Sequence, residues 1–336
     1  MGSQFVDLNA DGHLDYLTAT FDGSPHVSWG SEAGFAEPVR LMDAKGERIL
    51  IASIWDYDAK QHVDLGRAMP DGTPRSERCI SALAFDWDGD GDHDLLLGSY
   101  ENGHLYRQMN EGTNAEPKFT GKNVPVMAGD KPWALPAKMT APRLVDWDGD
   151  GDLDLIAGTF GDAYGPTGPG GGVYLSRNVG KKGAPAFGPF ETLIEVSRKG
   201  GTQPLRPDAG LYADAVDWDG DGDLDLVVGG YSMWTPPPRD LDPNQQAEAD
   251  RLKKAVQEAQ GATQEIMKKV NDEVAKATEG MDRSTPEYRE KWSKVFESHR
   301  ADYTAASQKI QTLTKQLEEL VPGPKRETFV WLYERL

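Results

Sequence analysis

One nine-residue string, Asp146-Trp-Asp-Gly-Asp-Gly-Asp-Leu-Asp154, leaves this chain few ways to fold, because it runs straight into Leu155-Ile-Ala-Gly158 and the pair recurs. Near-identical copies occupy residues 86–98 and 217–229, and a looser copy occupies 7–19, with Asn9 in the third place. The copies start at 7, 86, 146 and 217, so the intervals are 79, 60 and 71 residues. Self-similarity at such a period marks a repeat architecture, in which each unit buries its apolar surface against its neighbours.

The residues C-terminal to each string identify the unit. An apolar run ends in an aromatic at a fixed offset, giving Phe21, Tyr100, Phe160 and Tyr231. A second apolar stretch comes next, at 26–29, 104–106 and 172–175. Asn110 and Asn178 then lead through glycine-containing turns to Phe119 and Phe187, while the first repeat reaches Phe35 through Gly30 and Gly34. A further strand is predicted around 39–42, 124–127 and 191–196, and apolar residues precede the strings at 80–85, 143–145 and 213–216. Short runs of Val, Ile, Leu, Tyr and Trp separated by Gly, Pro and Asn are strands and turns. About four strands per unit at this spacing predict propeller blades. The expected fold is mainly β: a β-propeller of four-stranded blades, four repeats visible, spanning residues 1–238. The connection 43–76 is longer than its counterparts; its apolar run 49–55 and the adjoining Asp56-Tyr-Asp58 predict an extra hairpin or a degenerate blade element.

After Trp234 the pattern changes. Pro236-Pro-Pro238 ends the strands, and Asp242-Pro243 offers a helix cap followed by proline in the first turn. Leu252, Val256, Ala259, Thr263, Ile266, Val270, Val274, Ala277 and Met281 then recur at steps near four and three. After a turn in which Ser284 or Thr285 can cap, Tyr288, Trp292, Val295, His299, Tyr303, Ala306, Ile310, Leu313, Leu317 and Leu320 do the same. Two such runs joined by one short turn predict an antiparallel coiled-coil hairpin over 239–321, with arms of about 50 Å. The last stretch, 322–336, ends in Thr328-Phe-Val-Trp-Leu-Tyr333, which aligns with 172–175. The hairpin is therefore an insertion in the fourth blade, and 322–336 supplies the strand that completes the fourth repeat.

Within each string the first, third, fifth and ninth places carry oxygen side chains, and the carbonyl of the seventh adds another donor. The candidate metal residues are Asp7, Asn9, Asp11, His13 and Asp15; Asp86, Asp88, Asp90, Asp92 and Asp94; Asp146, Asp148, Asp150, Asp152 and Asp154; and Asp217, Asp219, Asp221, Asp223 and Asp225. Oxygen-only, acidic, closely spaced ligands suit calcium, which takes six to eight oxygens, and glycine in the sixth place permits the sharp turn. Soft metals are disfavoured because no Cys or His side chain holds a ligand place, and magnesium needs fewer carboxylates. An EF-hand requires Glu in the twelfth place, where this chain has Thr18, Leu97, Ala157 and Val228. The calcium β-helix nonapeptide fails on spacing. Metal-free acidic turns are the bland alternative, against which the mutual repulsion of clustered carboxylates argues. About four calcium ions are expected, one per loop, with the Asn9 loop the weaker.

These strings resemble the FG-GAP/VCBS repeat family of calcium-binding β-propellers, related to the propeller of integrin α subunits. The resemblance covers roughly residues 5–235 and the final strand but not the helices. It implies calcium loops that brace blades, and often a secreted or cell-surface location. It names no function, because the family spans adhesion proteins and enzyme appendages.

The remaining features narrow the function by exclusion. The 55 acidic residues against 36 Lys and Arg give a net charge of −19, with 18 Asp in the four strings, which argues against nucleic acid. No apolar run is long enough for a membrane helix. Cys79 is the single cysteine, so no internal disulfide forms. The start, Met-Gly-Ser-Gln entering a repeat by residue 7, reads as a trimmed or mature fragment, so the missing leader carries no information. His13, His26, His62, His93, His104 and His299 are scattered, and no catalytic constellation stands out. The four aligned aromatics suggest either a binding ring or packing between blades; Trp87, Trp147 and Trp218 suggest packing. Residues 161–172 are glycine-rich but lack the Gly-Lys-Ser/Thr ending of a phosphate loop. Tyr164, Trp133 and Trp234 would form a sugar-stacking face if they cluster. The expectation is a non-catalytic binding, adhesion or scaffold module with a protein or glycan ligand, in a secreted, periplasmic or cell-surface setting. The helical arm would serve protein interaction or self-association. The alternative is a polysaccharide-active enzyme or its calcium-dependent carbohydrate-binding module.

Overall fold

The computed structural model describes residues 2–52, 54–56, 61–63, 77–161, 167–204, 206–279, 281 and 286–335, with backbone alone at 54–56, 61–63 and 286. It is mainly β, with many antiparallel sheets and two long helices. Two compact units are present: one comprises Met1–Tyr57, His62–Trp234 and Arg326–Leu336, and the other is built around Thr235–Lys325.

In the first unit the four repeats become four sheets in chain order. The first holds Ser3–Val6, Asp15–Ala19, Pro25–Ser28 and Val39–Arg40. The second holds Cys79–Phe85, Asp94–Ser99, Leu105–Gln108 and Val124–Pro125. The third holds Met139–Val145, Asp154–Thr159, Val173–Ser176 and Glu191–Ile194. The fourth has three strands, Ala209–Val216, Asp225–Trp234 and Lys325–Tyr333, the last lying beside Asp225–Trp234 as Val173–Ser176 lies beside Asp154–Thr159. The long connection yields a two-stranded ribbon, Ile54–Asp56 with Gln61–Val63; the rest of 57–76 lies outside the described residues.

Apolar residues on both faces of the second strand explain why the sheets stack. Asp94–Ser99 and Asp154–Thr159 are buried throughout. One core cluster joins sheets one and two through Leu17, Val27, Ala82, Leu97 and Phe119. A second joins two and three through Leu96, Trp133, Met139, Leu155 and Phe187, and a third joins three and four through Trp147, Ile156, Leu175, Leu211 and Val228. Among the described residues no closed barrel or ring links the fourth sheet to the first, so the row of sheets is what the structure establishes.

A glycine in the third sheet allows the fourth to approach closely. At Gly158 a side chain would fall on the carbonyl oxygen of Leu211 in the next sheet and within 3.0 Å of Thr140 Oγ1. Backbone cannot yield there as a flexible side chain can, so Gly158→Ala should cost about 3 kcal/mol or more in a urea melt. Gly261 in the first helix has open space around its Cβ position. Gly261→Ala should therefore stabilise the helical unit by about 0.5–1 kcal/mol.

The second unit consists of helix α1, Pro243–Ala277, and helix α2, Pro286–Leu320. Asp242 caps α1 by accepting from the Asn244 and Gln245 backbones at 2.8 and 2.9 Å, and the Gln245 side chain accepts from the Asp242 backbone in return. Leu252, Ala259, Val270 and Val274, all on the predicted stripe, are buried. The helices run antiparallel: Arg239 bonds the Glu319 carbonyl at one end, and His299 Nε2 meets Glu273 at 3.0 Å toward the other. The predicted caps Ser284 and Thr285 lie outside the described residues. No helix is long and apolar enough to cross a membrane among the described residues.

Candidate metal loops and the carboxylate clamp

Each acidic string is the hairpin loop between the first and second strands of its sheet. The pairing that closes the loop is the same four times: Val6 with Asp15, Phe85 with Asp94, Val145 with Asp154, and Val216 with Asp225. The sixth-place glycines Gly12, Gly91, Gly151 and Gly222 have φ between 89° and 98°, a region other residues avoid.

The structure divides the predicted ligands into two groups. Asp86, Asp88 and Asp90 bring one carboxylate oxygen each within 4.8 Å of one another, as do Asp146, Asp148 and Asp150, and Asp217, Asp219 and Asp221. These are the first, third and fifth places. The ninth-place residues are instead almost fully buried, with Asp15, Asp94, Asp154 and Asp225 all at 2 % exposure or less. One oxygen of each accepts from the backbone N–H of the second place, Leu8, Trp87, Trp147 or Trp218, at 2.9–3.1 Å. The other accepts from the N–H of Gly30, Asn110, Asn178 or Arg335 at 2.7–2.9 Å, just beyond the third strand. The ninth carboxylate thus ties the loop to the end of a strand, while its remaining lone pairs stay free for a cation.

The spacing of the aspartates predicts a ligand role for the ninth place and gives no hint of this clamp. The one signal in the sequence is Asn110 and Asn178, each placed before a glycine-containing turn. Their side-chain oxygens accept from Gly112 and Lys118, and from Gly180 and Ala186, building the turn that carries Phe119 and Phe187 to the preceding sheet. Phe187 lies 6.1 Å from Trp87 in that sheet.

The seventh-place residues differ among themselves. His13 donates its backbone N–H to Asp11 Oδ1 at 2.9 Å. Asp92 is buried, its Oδ1 lacks a partner among the described residues, and burial together with Asp90, Asp94, Asp88 and Asp86 pushes its carboxyl up to about 6. Asp223 is raised in the same direction, and its Oδ1 is also unpartnered, as is Asp146 Oδ1. Burial raises Asp94 and Asp154 as well, against the lowering pull of their backbone donors. In the third loop one cation intervenes: Arg177 Nη1 meets Asp148 at 2.6 Å while its Nε meets Glu191 at 2.7 Å. The first loop is the least acidic, with Asn9 Nδ2 donating to Asp11 at 2.9 Å.

Unpaired oxygens, mutual repulsion and an oxygen-only donor set fit a hard cation such as calcium. They also set a sign for pH. A carboxyl raised by folding favours the fold when protonated, and that contribution is lost as pH climbs through the folded value near 6. In EDTA, the melting temperature should therefore rise as pH falls from 7 toward 5. With calcium present the order should reverse, because protonation displaces the ion.

The other predicted site features are absorbed into packing. Phe21 meets Tyr100 edge-on at 5.8 Å and Tyr100 meets Phe160 at 5.4 Å, each from successive sheets. Phe160 continues to Tyr212 at 6.0 Å. Trp87 and Trp147 are buried, but Trp218, on the last sheet, is 65 % exposed. The sugar-stacking trio does not form: Trp133 is fully buried against Phe190, and Tyr164 lies outside the described residues.

A search of curated proteins gives no match. Among solved structures, the Tc holotoxin pore of Photorhabdus luminescens, in a mutant form, is similar at 15 % identity and a TM-score of 0.30, over 68 % of this chain. The chain spans 11 % of that protein's length. A family model described as an FG-GAP-like repeat matches residues 86–157, which run from the second acidic loop through the second strand of the third sheet. Residues 86–157 thus carry the signature of the FG-GAP-like repeat, consistent with an FG-GAP repeat family.

Proposed function

We propose that this chain is a calcium-stabilised β-propeller module that binds or scaffolds without catalysing, and that its helices form a coiled-coil arm for protein contact. The observation that carries the reading is the convergence of three carboxylates in each of three loops, beside buried unpartnered carboxylate oxygens. In this reading an ion replaces repulsion with attraction at the mouth of each hairpin, and the ninth-place clamp transmits that order to the third strand. Asp7, Asn9, Asp11 and the His13 carbonyl would hold a fourth ion. The propeller reading rests on the sheet order, which repeats in chain order, and on the stacked cores between consecutive sheets. Residues 1–238 and 322–336 would make the propeller part and 239–321 the arm. Extracellular or periplasmic calcium would keep loops of moderate affinity filled.

A non-catalytic role is supported by where the polar side chains are spent. The one buried glutamate with a histidine partner among the described residues, Glu77, accepts from Asn102 at 3.0 Å and Tyr106 at 2.7 Å as well as meeting His104 at 2.5 Å, an arrangement that braces the second sheet. The competing reading is a polysaccharide-active enzyme. A glycan array and a polysaccharide-degradation screen, each with calcium and with EDTA, separate the two. Retention of a ligand without turnover is expected, and reproducible turnover of any polysaccharide would defeat the proposal.

A further inference from the structure

Away from the acidic loops, Ser197, Gln203, Arg206, Asp208, Ser232 and Trp331 line a cavity of about 210 Å³. The cavity lies between the connection that follows the third sheet and two strands of the fourth, Asp225–Trp234 and Lys325–Tyr333. Its wall holds two polar atoms without a well-formed hydrogen bond among the described residues, Ser197 Oγ and Asp208 Oδ1, although the Met233 backbone N–H also acts on the Asp208 carboxylate. Asp208 is only 8 % exposed, and its other oxygen accepts from Ser232 Oγ at 2.6 Å, so the carboxylate is fixed in one orientation. Trp331 is 38 % exposed, which leaves part of its indole free at the cavity. Arg206 is held by a bond from Nη2 to the Glu195 carbonyl at 2.7 Å.

Buried polar atoms without partners are rare in folded proteins and point to something that completes them. The chemistry around these two narrows what that is. A free cation is disfavoured, because Lys199 and Arg206 already face the single carboxylate. A free anion is disfavoured by the carboxylate itself. A neutral group that both donates and accepts, with an apolar face to lay on an indole, matches all the elements. We infer that this cavity is a subsite for one neutral sugar ring, with Trp331 under its C–H face and Asp208 and Ser197 accepting hydrogen bonds from its hydroxyls. The volume suits a single hexose, so the subsite would read one residue of a longer glycan.

The inference does not depend on calcium, because none of these residues belongs to an acidic loop. Glucose, galactose and mannose should be tested individually by saturation-transfer NMR on the full chain. One of them should bind with a dissociation constant on the order of 1 mM, as expected for so small a ligand. Trp331→Ala should weaken binding about tenfold or more, and Asp208→Asn should do the same while leaving the calcium-dependent melting shift in place. Circular dichroism melts of both variants identify misfolding; if Asp208→Asn unfolds, Trp331→Ala decides alone. Absence of transfer with all three sugars would overturn the inference, as would binding that both folded variants retain in full. Loss of the calcium shift with sugar binding intact would instead count against the metal reading.

Discussion

Withdrawing calcium with EDTA should lower the melting temperature of the sheet unit by roughly 10–20 °C. At a hundredfold excess over its dissociation constant, a ligand that binds only the folded state contributes about 2.7 kcal/mol per site. For a unit of this size each kcal/mol moves the midpoint by about 2–4 °C, so two filled loops already give a shift in this range. The size follows from the state of the loops without an ion. Asp146, Asp148 and Asp150 converge within 4.8 Å, and of these only Asp148 has a cation, Arg177, against it. In the triplets of the second and fourth loops no ion pair to a basic side chain is present among the described residues. Differential scanning calorimetry with calcium, then with EDTA, then with calcium restored, reads the effect and its reversibility. Coincident melts would remove the energetic case for the loops.

The second large effect concerns the ninth place. Asp154→Ala should destabilise the chain by about 3–5 kcal/mol even in EDTA, because it strands two buried backbone donors at about 1–3 kcal/mol each and leaves a void. Those donors are Trp147 N–H at 3.1 Å and Asn178 N–H at 2.7 Å. Asp150→Ala makes the contrast. Its carboxylate is exposed and, among the described residues, accepts only from the Asp152 backbone at 2.9 Å, so the variant should lie within about 1 kcal/mol of the parent in EDTA. In calcium it should lose the stabilisation of its loop. Urea melts of the two variants with and without calcium separate a structural clamp from a metal ligand, and equal costs for both in EDTA would erase the distinction.

More of the fold than of the site is legible in the sequence, for reasons that particular residues make clear. Strands such as Cys79–Phe85 and Asp154–Thr159 are legible because apolar β-formers lie between turn residues at a repeated offset. Asp242 and Pro243 announce α1 because a capping side chain and a fixed φ are local properties. The final strand is legible by alignment with 172–175, although it lies beyond two helices from Asp225–Trp234. Whether the sheets close into a ring is not legible, because closure depends on faces that meet only in three dimensions. The double bond made by Asp154 is hidden for a similar reason: Asn178 stands 24 residues away, and nothing in an aspartate's spacing distinguishes a ligand from a clamp. The cavity at Trp331 is invisible because its wall combines Ser197, Gln203, Arg206 and Asp208 with a strand beyond the helices.

The repeat logic also explains one exposed tryptophan. Trp87 is covered by Phe187 from the next sheet along the chain, and Trp147 by the guanidinium of Arg335, which stands 5.1 Å over its ring. Trp218 occupies the same place on the fourth sheet and is left open. Trp87 is covered from its own sheet as well, by Arg107 at 4.8 Å over its ring, so burial at this position combines the neighbouring sheet with the residue's own.

Calcium stoichiometry tests the central claim most directly. Isothermal titration of the metal-free chain, checked by native mass spectrometry, should register about four calcium ions per chain, with magnesium at equal concentration failing to displace them. Fewer than one bound ion per chain at millimolar calcium would contradict the account and return the acidic strings to plain hairpin turns.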